Sequence, residues 1–116
     1  MVNNLIIQGR LTADPEYKNL STGVTYCSFT IASERAKNKD GERITDFIPC
    51  VGFGKTADFI SKYFHKGDMA VVSGRMQSRA YEGSDGKKHM VYEAYIMEMN
   101  FCGGKSQNKQ EDDVAF

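Results

Sequence analysis

The side chains able to do chemistry are few, and their spacing does not assemble a catalyst. The chain has two histidines, His65 and His89, and neither has a serine, cysteine or carboxylate partner that makes a convincing nucleophile and base. Asp14 and Glu16 flank a proline and are weak ground for a carboxylate pair. Gly52-Phe53-Gly54-Lys55-Thr56 has the residue types of a phosphate loop. It lacks the GxxxxGK[ST] spacing that lets a glycine-rich turn wrap phosphate ahead of the lysine. Cys27, Cys50 and Cys102 are widely spaced, with no CxxC, which supports neither a disulfide framework nor a zinc site. They read as buried or half-buried small apolar side chains in a reducing cytosol. The expectation is a protein that is not an enzyme and uses no cofactor or metal.

What these residues do suit is stacking and charge. Phe47 and Phe53 lie on one stretch, TDFIPCVGF. On an extended strand both rings stand on one face, roughly 20 Å apart. Tyr81 follows Arg79 and precedes a polar loop. Unpaired bases stack on such rings with little sequence preference, at ~1–3 kcal/mol each. Core packing is the competing role for each phenylalanine, and capping a barrel end is the competing role for Tyr81. Basic residues interleave with the rings. Lys37, Lys39 and Arg43 fall in one loop, Lys55 opens a helix, Arg75 and Arg79 share parity in a strand, and Lys87 and Lys88 fall in a second loop. They sketch a track for a phosphate backbone, against the plainer reading of solvated charged loops. The chain balances 15 Lys and Arg against 15 Asp and Glu, so it is no strongly basic nucleic-acid binder. The balance is uneven, however: residues 35–89 carry eleven bases against seven acids, and the last six residues carry three acids and no base. Such modest charge limits affinity per subunit and leaves stacking and multivalency to supply the rest.

These residues need elements to hold them, and 116 residues make one ordinary domain. Leu5, Ile7, Gly9 and Leu11 alternate with Ile6, Gln8 and Arg10, which predicts a strand over 4–11. Thr12 to Glu16 reads as a turn, and Tyr17 to Leu20 as a continuation of the sheet after a bend. Val24 to Ser33 is the second strand, with Cys27, Phe29 and Ile31 on its apolar side. RAKNKDGER makes a hairpin loop. Thr45 to Phe53 is the third strand, where Pro49 marks an edge, a bulge or an unpaired position. Lys55 to Phe64 reads as the helix, with Ala57, Ile60 and Phe64 on its apolar stripe, Phe59 and Tyr63 widening it, Thr56 as N-cap and Gly67 as stop. Strands over Asp68–Arg79 and His89–Phe101 follow, joined by EGSDGKK. Residues 1–102 then form the domain, and GGKSQNKQEDDVAF, residues 103–116, reads as a flexible tail. No stretch approaches the ~20 apolar residues of a membrane span. The expected setting is the cytoplasm, with no membrane partner. Three strands, a helix and two strands is the element order of an OB-fold, an all-β five-stranded Greek-key barrel with one helix between strands 3 and 4. Glycines inside the strands would serve as its bends. SH3-like barrels and other small α+β folds share the pattern.

Five segments, in this order, resemble the bacterial and phage single-stranded DNA-binding protein family: NNLIIQGRLTADPE, CSFTIASER, DFIPCVGFGKTADFISKYFHKGD, GRMQSRAYEG and the terminal EDDVAF. Together they cover nearly all of the chain. The resemblance implies an OB-fold that assembles as a homotetramer, wraps single-stranded DNA by stacking and basic contacts, and does no chemistry. It implies stacking roles for Phe47, Phe53 and Tyr81, and basic contacts at Lys18, Lys55, Lys66 and Arg79. The terminal segment resembles a tip that recruits replication, recombination and repair proteins, a role that falls to Asp112, Asp113 and Phe116. Three departures stand out. The hairpin stretch RAKNKDG has no aromatic residue where the family often has one. Ala115 stands where the tip usually has proline. The linker is far shorter than in cellular members, which suits a phage or mobile-element version, with a host-cytoplasm or nucleoid setting. Two other functions compete: a binder of RNA or of either single strand, since stacking does not read the 2′-hydroxyl, and an OB module that binds only protein, in which the three rings would be buried or in an interface.

Overall fold

The computed structural model describes residues 1–102, arranged as β1 (Leu5–Leu11), β2 (Glu16–Asn19), β3 (Thr25–Glu34), β4 (Thr45–Phe53), α1 (Lys55–Tyr63), β5 (Met69–Glu82) and β6 (Lys88–Phe101). Alternation in sequence becomes alternation in burial. In β1, Leu5, Ile7, Gly9 and Leu11 turn inward while Ile6, Gln8 and Arg10 are exposed. In β3, Cys27, Phe29 and Ile31 are buried. In β4 the inward side is Ile48 and Cys50, which places Phe47 and Phe53 on the other face. Burial pushes the Cys27 thiol up to about 11 and the Cys50 thiol up to about 12, so both are packing groups at neutral pH.

The helix packs across the inner face of the strands. Ala57, Ile60 and Phe64 are fully buried and join Leu11, Phe29, Ile31, Val72, Ile96 and Met99 in one apolar cluster. Phe59 and Tyr63 do not widen that stripe: they are 42% and 45% exposed, and each packs on the helix surface against the other. Thr56 does not cap the helix. The cap is Gly54, whose φ of 60° lets the chain turn from β4 into α1 with no side-chain cap bond. The helix ends at Tyr63, and Gly67 makes the later turn into β5 with its N–H donating to the Leu11 carbonyl. The Tyr17 hydroxyl donates to Asp58 at 2.6 Å and ties β2 to the helix.

The five-stranded Greek-key barrel is corrected in count and in closure. There are six strands, because Glu16–Asn19 pairs along β3 as a strand of its own, and the helix therefore falls between the fourth and fifth. All six form one sheet in the order β1-β5-β6-β4-β3-β2. The joins that would close a ring are slight. β1 meets β3 at Arg10–Ala32 and Leu11–Ile31, and β4 runs parallel to β6 at Cys50–Ala94 and Val51–Tyr95. The domain is a six-stranded all-β sheet with one helix, not a closed barrel. The sequence predicts Tyr17 to Leu20 as a continuation of the sheet after a bend; the structure makes Glu16–Asn19 a separate strand, whose four exposed residues show no inside–outside alternation to mark it as one.

Two backbone features shape the sheet. Between β5 and β6 the register slips at Ser73/Gly74, where Met97 is an extra residue on β6. The bulge explains why the buried residues of β6 change parity from Ala94 and Ile96 to Met99. Pro49 sits opposite Thr30, and β4 begins to pair with β6 only at Cys50, so that side of the strand has no ladder at Pro49 to lack a donor. Among the described residues, no helix is long and apolar enough to cross a membrane.

Candidate nucleic-acid interface

Cross-strand partners in a ladder share a face, so the register lists what stands together on the outer side. Lys18 pairs with Tyr26, Tyr26 with Phe53, and Arg75 with Tyr95. The rings join the two sets: Phe53 lies 5.2 Å from Tyr26 and 5.7 Å from Tyr95, centroid to centroid, the latter nearly parallel at 23°. The Arg75 guanidinium lies 4.8 Å over the Tyr95 ring. One row, Lys18–Tyr26–Phe53–Tyr95–Arg75, thus crosses β2, β3, β4, β6 and β5. It has three rings in its middle and a cation at each end.

The β5–β6 hairpin carries this face outward. Arg75, Gln77, Arg79 and Tyr81 pair with Tyr95, Glu93, Val91 and His89. Arg75 and Arg79 do share a face, because β5 alternates without a break and the extra residue of the bulge is on β6. Tyr81 is 44% exposed and stacks on His89 at 5.4 Å. Lys87 sits in the tight turn between the strands. Lys88 pairs with Glu82 and has the parity of Met90 and Tyr92, on the other face of the arm. The turn is held by Gly83 N–H to the Lys87 carbonyl and by Asp85, whose carboxyl lies below the usual range because the Lys87 N–H and then His89 bond to it.

Phe47 stands at the far end of β4, 63% exposed. With Arg10, Arg43, Ala32 and Ile6 it lines a concavity of about 790 Å³. The adjoining loop, 35–44, is internally tied. Asn38 Oδ1 accepts the N–H groups of Asp40 and Glu42, Gly41 adopts a φ of 79°, and Arg35 makes a two-pronged bond to Asp46 at 2.9 and 3.0 Å. That bond holds the Asp46 carboxyl below its usual range. Lys37 and Lys39 are exposed on this loop, and Arg43 reaches Glu34 at 3.7 Å.

The structure thus gathers Lys18, Phe53, Arg75, Arg79 and Tyr81 on one face, with Phe47 and Arg43 at its far end. Lys55 belongs to a different groove, lined by Phe59, Met97 and Glu98. Lys66 lies beyond the helix, where its backbone N–H donates to Asp14. Asp112, Asp113 and Phe116 lie outside the described residues. Sequence reasoning missed Tyr26, Tyr95 and His89. Their signal was parity: Tyr26 falls with Ser28 and Thr30 on the polar side of β3, and Tyr95 opposite Ala94 and Ile96.

The sequence model of the single-strand binding protein family matches residues 2–102. The chain belongs to that family. It is 44% identical to the single-stranded DNA-binding protein of Bacillus cereus over 125 aligned residues, covering all of this chain and 74% of that one. It is 41% identical to single-stranded DNA-binding protein 2 of Clostridium acetobutylicum, covering 98% of this chain and 87% of that one. Against single-stranded DNA-binding protein 1 of Staphylococcus aureus it is 39% identical, over 97% of this chain and 73% of that one. The family match spans nearly the whole described sheet, so the face built above belongs to the family domain itself.

Proposed function

We infer that the chain binds single-stranded DNA without strong sequence preference and serves DNA replication, recombination and repair as a binding protein, not an enzyme. The observation that carries this reading is the row Lys18–Tyr26–Phe53–Tyr95–Arg75: three adjoining half-buried rings, flanked by cations, across the outer face of the sheet. Bases stack on rings only when unpaired, and cations at the row's ends suit the phosphates on either side. Duplex DNA is then excluded by geometry rather than by charge. Phe47, Phe53 and Tyr81 are the proposed stacking groups. Lys18, Arg43 and Arg75 are the principal proposed phosphate contacts, with Arg79, Lys37, Lys39 and Lys87 near them, while Lys55, Lys66 and Lys88, which lie off this face, are proposed to meet the backbone only where the strand runs on past it.

Assembly as a homotetramer completes the proposal. Residues 5–9 of β1 pair with β5 on one side, while Val2 and Ile6 are 97% and 69% exposed. A second copy would cover them. Recruitment of replication, recombination or repair proteins is proposed for Asp112, Asp113 and Phe116, an acidic tip with a terminal ring.

The test is a fluorescence titration with labelled oligo-dT of about 35 nucleotides against the matching duplex, at low and high salt. The expected result is tight, salt-sensitive binding to the single strand and weak binding to the duplex. Equal binding to both would refute the reading, and light scattering on the same sample reports the assembly.

A further inference from the structure

A carboxylate is out of place on a surface for phosphates, yet Glu93 sits on this one. It is 4% exposed and is the buried charged residue of the described chain. Its Oε2 accepts Gln77 Nε2 at 3.1 Å, and Arg79 Nε lies 3.3 Å from both oxygens. A carboxylate offers about four acceptor positions, so these donors leave capacity for another. Arg79 bonds through Nε, which leaves its Nη groups for a ligand. Glu93 and Arg79 line a groove of about 360 Å³ whose walls are Tyr26, Pro49, Val51 and Val91. That volume lies within the ~300–1,000 Å³ range of small-molecule sites. Asp14 and Glu16 line the same groove. Three carboxylates against one guanidinium disfavour a phosphate there and favour a neutral group that donates.

We propose that this groove is a base-edge subsite, selective for a base that carries an amino group beside an unprotonated ring nitrogen, the edge that cytosine and adenine share, and cytosine is the ligand used to test it. Glu93 accepts the N4 amino hydrogens of cytosine, and an Arg79 Nη group donates to N3 or O2, while Tyr26, Pro49 and Val51 enclose the ring. Uracil and thymine present the reverse pattern, an O4 acceptor toward Glu93 and an N3 donor toward Arg79. The subsite rests on the reading that the sheet face takes single-stranded DNA, and it adds a preference at one position to a face that otherwise stacks any base.

Oligo-dC and oligo-dU of equal length differ only along the base edge in question. Titrated against the full chain at pH 8, where cytosine is unprotonated, the wild-type protein is expected to bind oligo-dC about ten-fold more tightly, the discrimination of one good charge-assisted contact. In Glu93→Gln the hydrogen bond to Arg79 can persist, but the dC:dU ratio is expected to fall to within about two-fold of unity. A residue that merely holds Arg79 in place would change both affinities and leave the ratio alone. Should that variant fail to fold, oligo-dC methylated twice at N4 tests the wild type directly, with its preference over oligo-dU lost. A wild-type ratio near or below unity, or a ratio unchanged in Glu93→Gln, overturns the subsite. Tight but equal binding to both oligomers would leave the single-strand reading standing, whereas binding to neither would remove that reading and the subsite with it.

Discussion

Phe47 and Phe53 stand on the same strand face and do different work there. Phe53 is wedged between Tyr26 and Tyr95, and each such ring contact contributes about 0.5–1.5 kcal/mol beyond burial. Its ring is part surface and part support, since it orients the two tyrosines beside it. Phe47 is 63% exposed and supports little. Phe53→Ala is therefore expected to lower the unfolding free energy by about 2 kcal/mol and to weaken binding as well. Phe47→Ala is expected to leave stability within about 0.5 kcal/mol of wild type and to reduce oligo-dT affinity about ten-fold. Urea unfolding and titration on the same two variants separate these effects. A Phe47→Ala protein that binds as tightly as wild type would show that the strand of DNA does not pass that end of β4.

At the scale of elements, the β5–β6 hairpin decides where the cations go. Its two strands pair from Ala70–Phe101 out to Glu82–Lys88, interrupted only at Ser73/Gly74. The extra residue is on β6, so β5 alternates without a break: Ala70, Val72 and Gly74 face inward and Arg75, Arg79 and Tyr81 face the other way, with Phe53, while the bulge brings Tyr95 into line opposite Arg75. Gly74 is required there. A Cβ at that position would collide with the Tyr95 carbonyl and come within 3.2 Å of the Ile96 Cα, and neither is a flexible side-chain end that can swing away. Gly74→Ala is expected to cost about 1–3 kcal/mol and to disturb Tyr95, the ring that carries Arg75. Urea unfolding should show the loss, and the tyrosine ring resonances in NMR should shift. Wild-type stability would mean that the bulge can relocate without cost.

At the scale of the whole molecule, a formal net charge of zero does not make binding insensitive to salt. What counts is the number of phosphates neutralised, because each contact releases condensed counterions. The three proposed phosphate contacts that are not tied to the Glu93 groove, Lys18, Arg43 and Arg75, predict a slope of log K against log salt of roughly −2 per protomer for a single strand. Arg75→Ala should make that slope shallower by about 0.7 and, by removing the cation over Tyr95, loosen the ring as well. An unchanged slope would show that Arg75 holds Tyr95 and does not meet phosphate. In the proposed homotetramer these contacts would multiply, which would let a neutral chain hold a long strand tightly.

The sequence by itself determined the family, the all-β class with its single helix, the inward faces of β1 and β3, and the exact span of β4. These are local properties, because alternation of apolar and polar residues is written residue by residue and needs no partner strand to be read. It also paired Phe47 with Phe53 and Arg75 with Arg79 by parity, but left open which face each pair takes, and it ended the fourth predicted strand at Arg79, short of Tyr81. Tertiary structure decided the rest. β2, which the sequence predicts only as a continuation of the sheet at Tyr17 to Leu20, became a separate strand, Glu16–Asn19, by pairing along β3. Phe59 and Tyr63 stayed largely outside, packing on each other, while Ala57, Ile60 and Phe64 met the sheet. The ring row and the Glu93 groove depend on registers between β4 and β6, strands about 40 residues apart in the chain. No spacing within either segment records those registers. They are set by the long-range packing that brings Cys50 against Ala94 and Val51 against Tyr95.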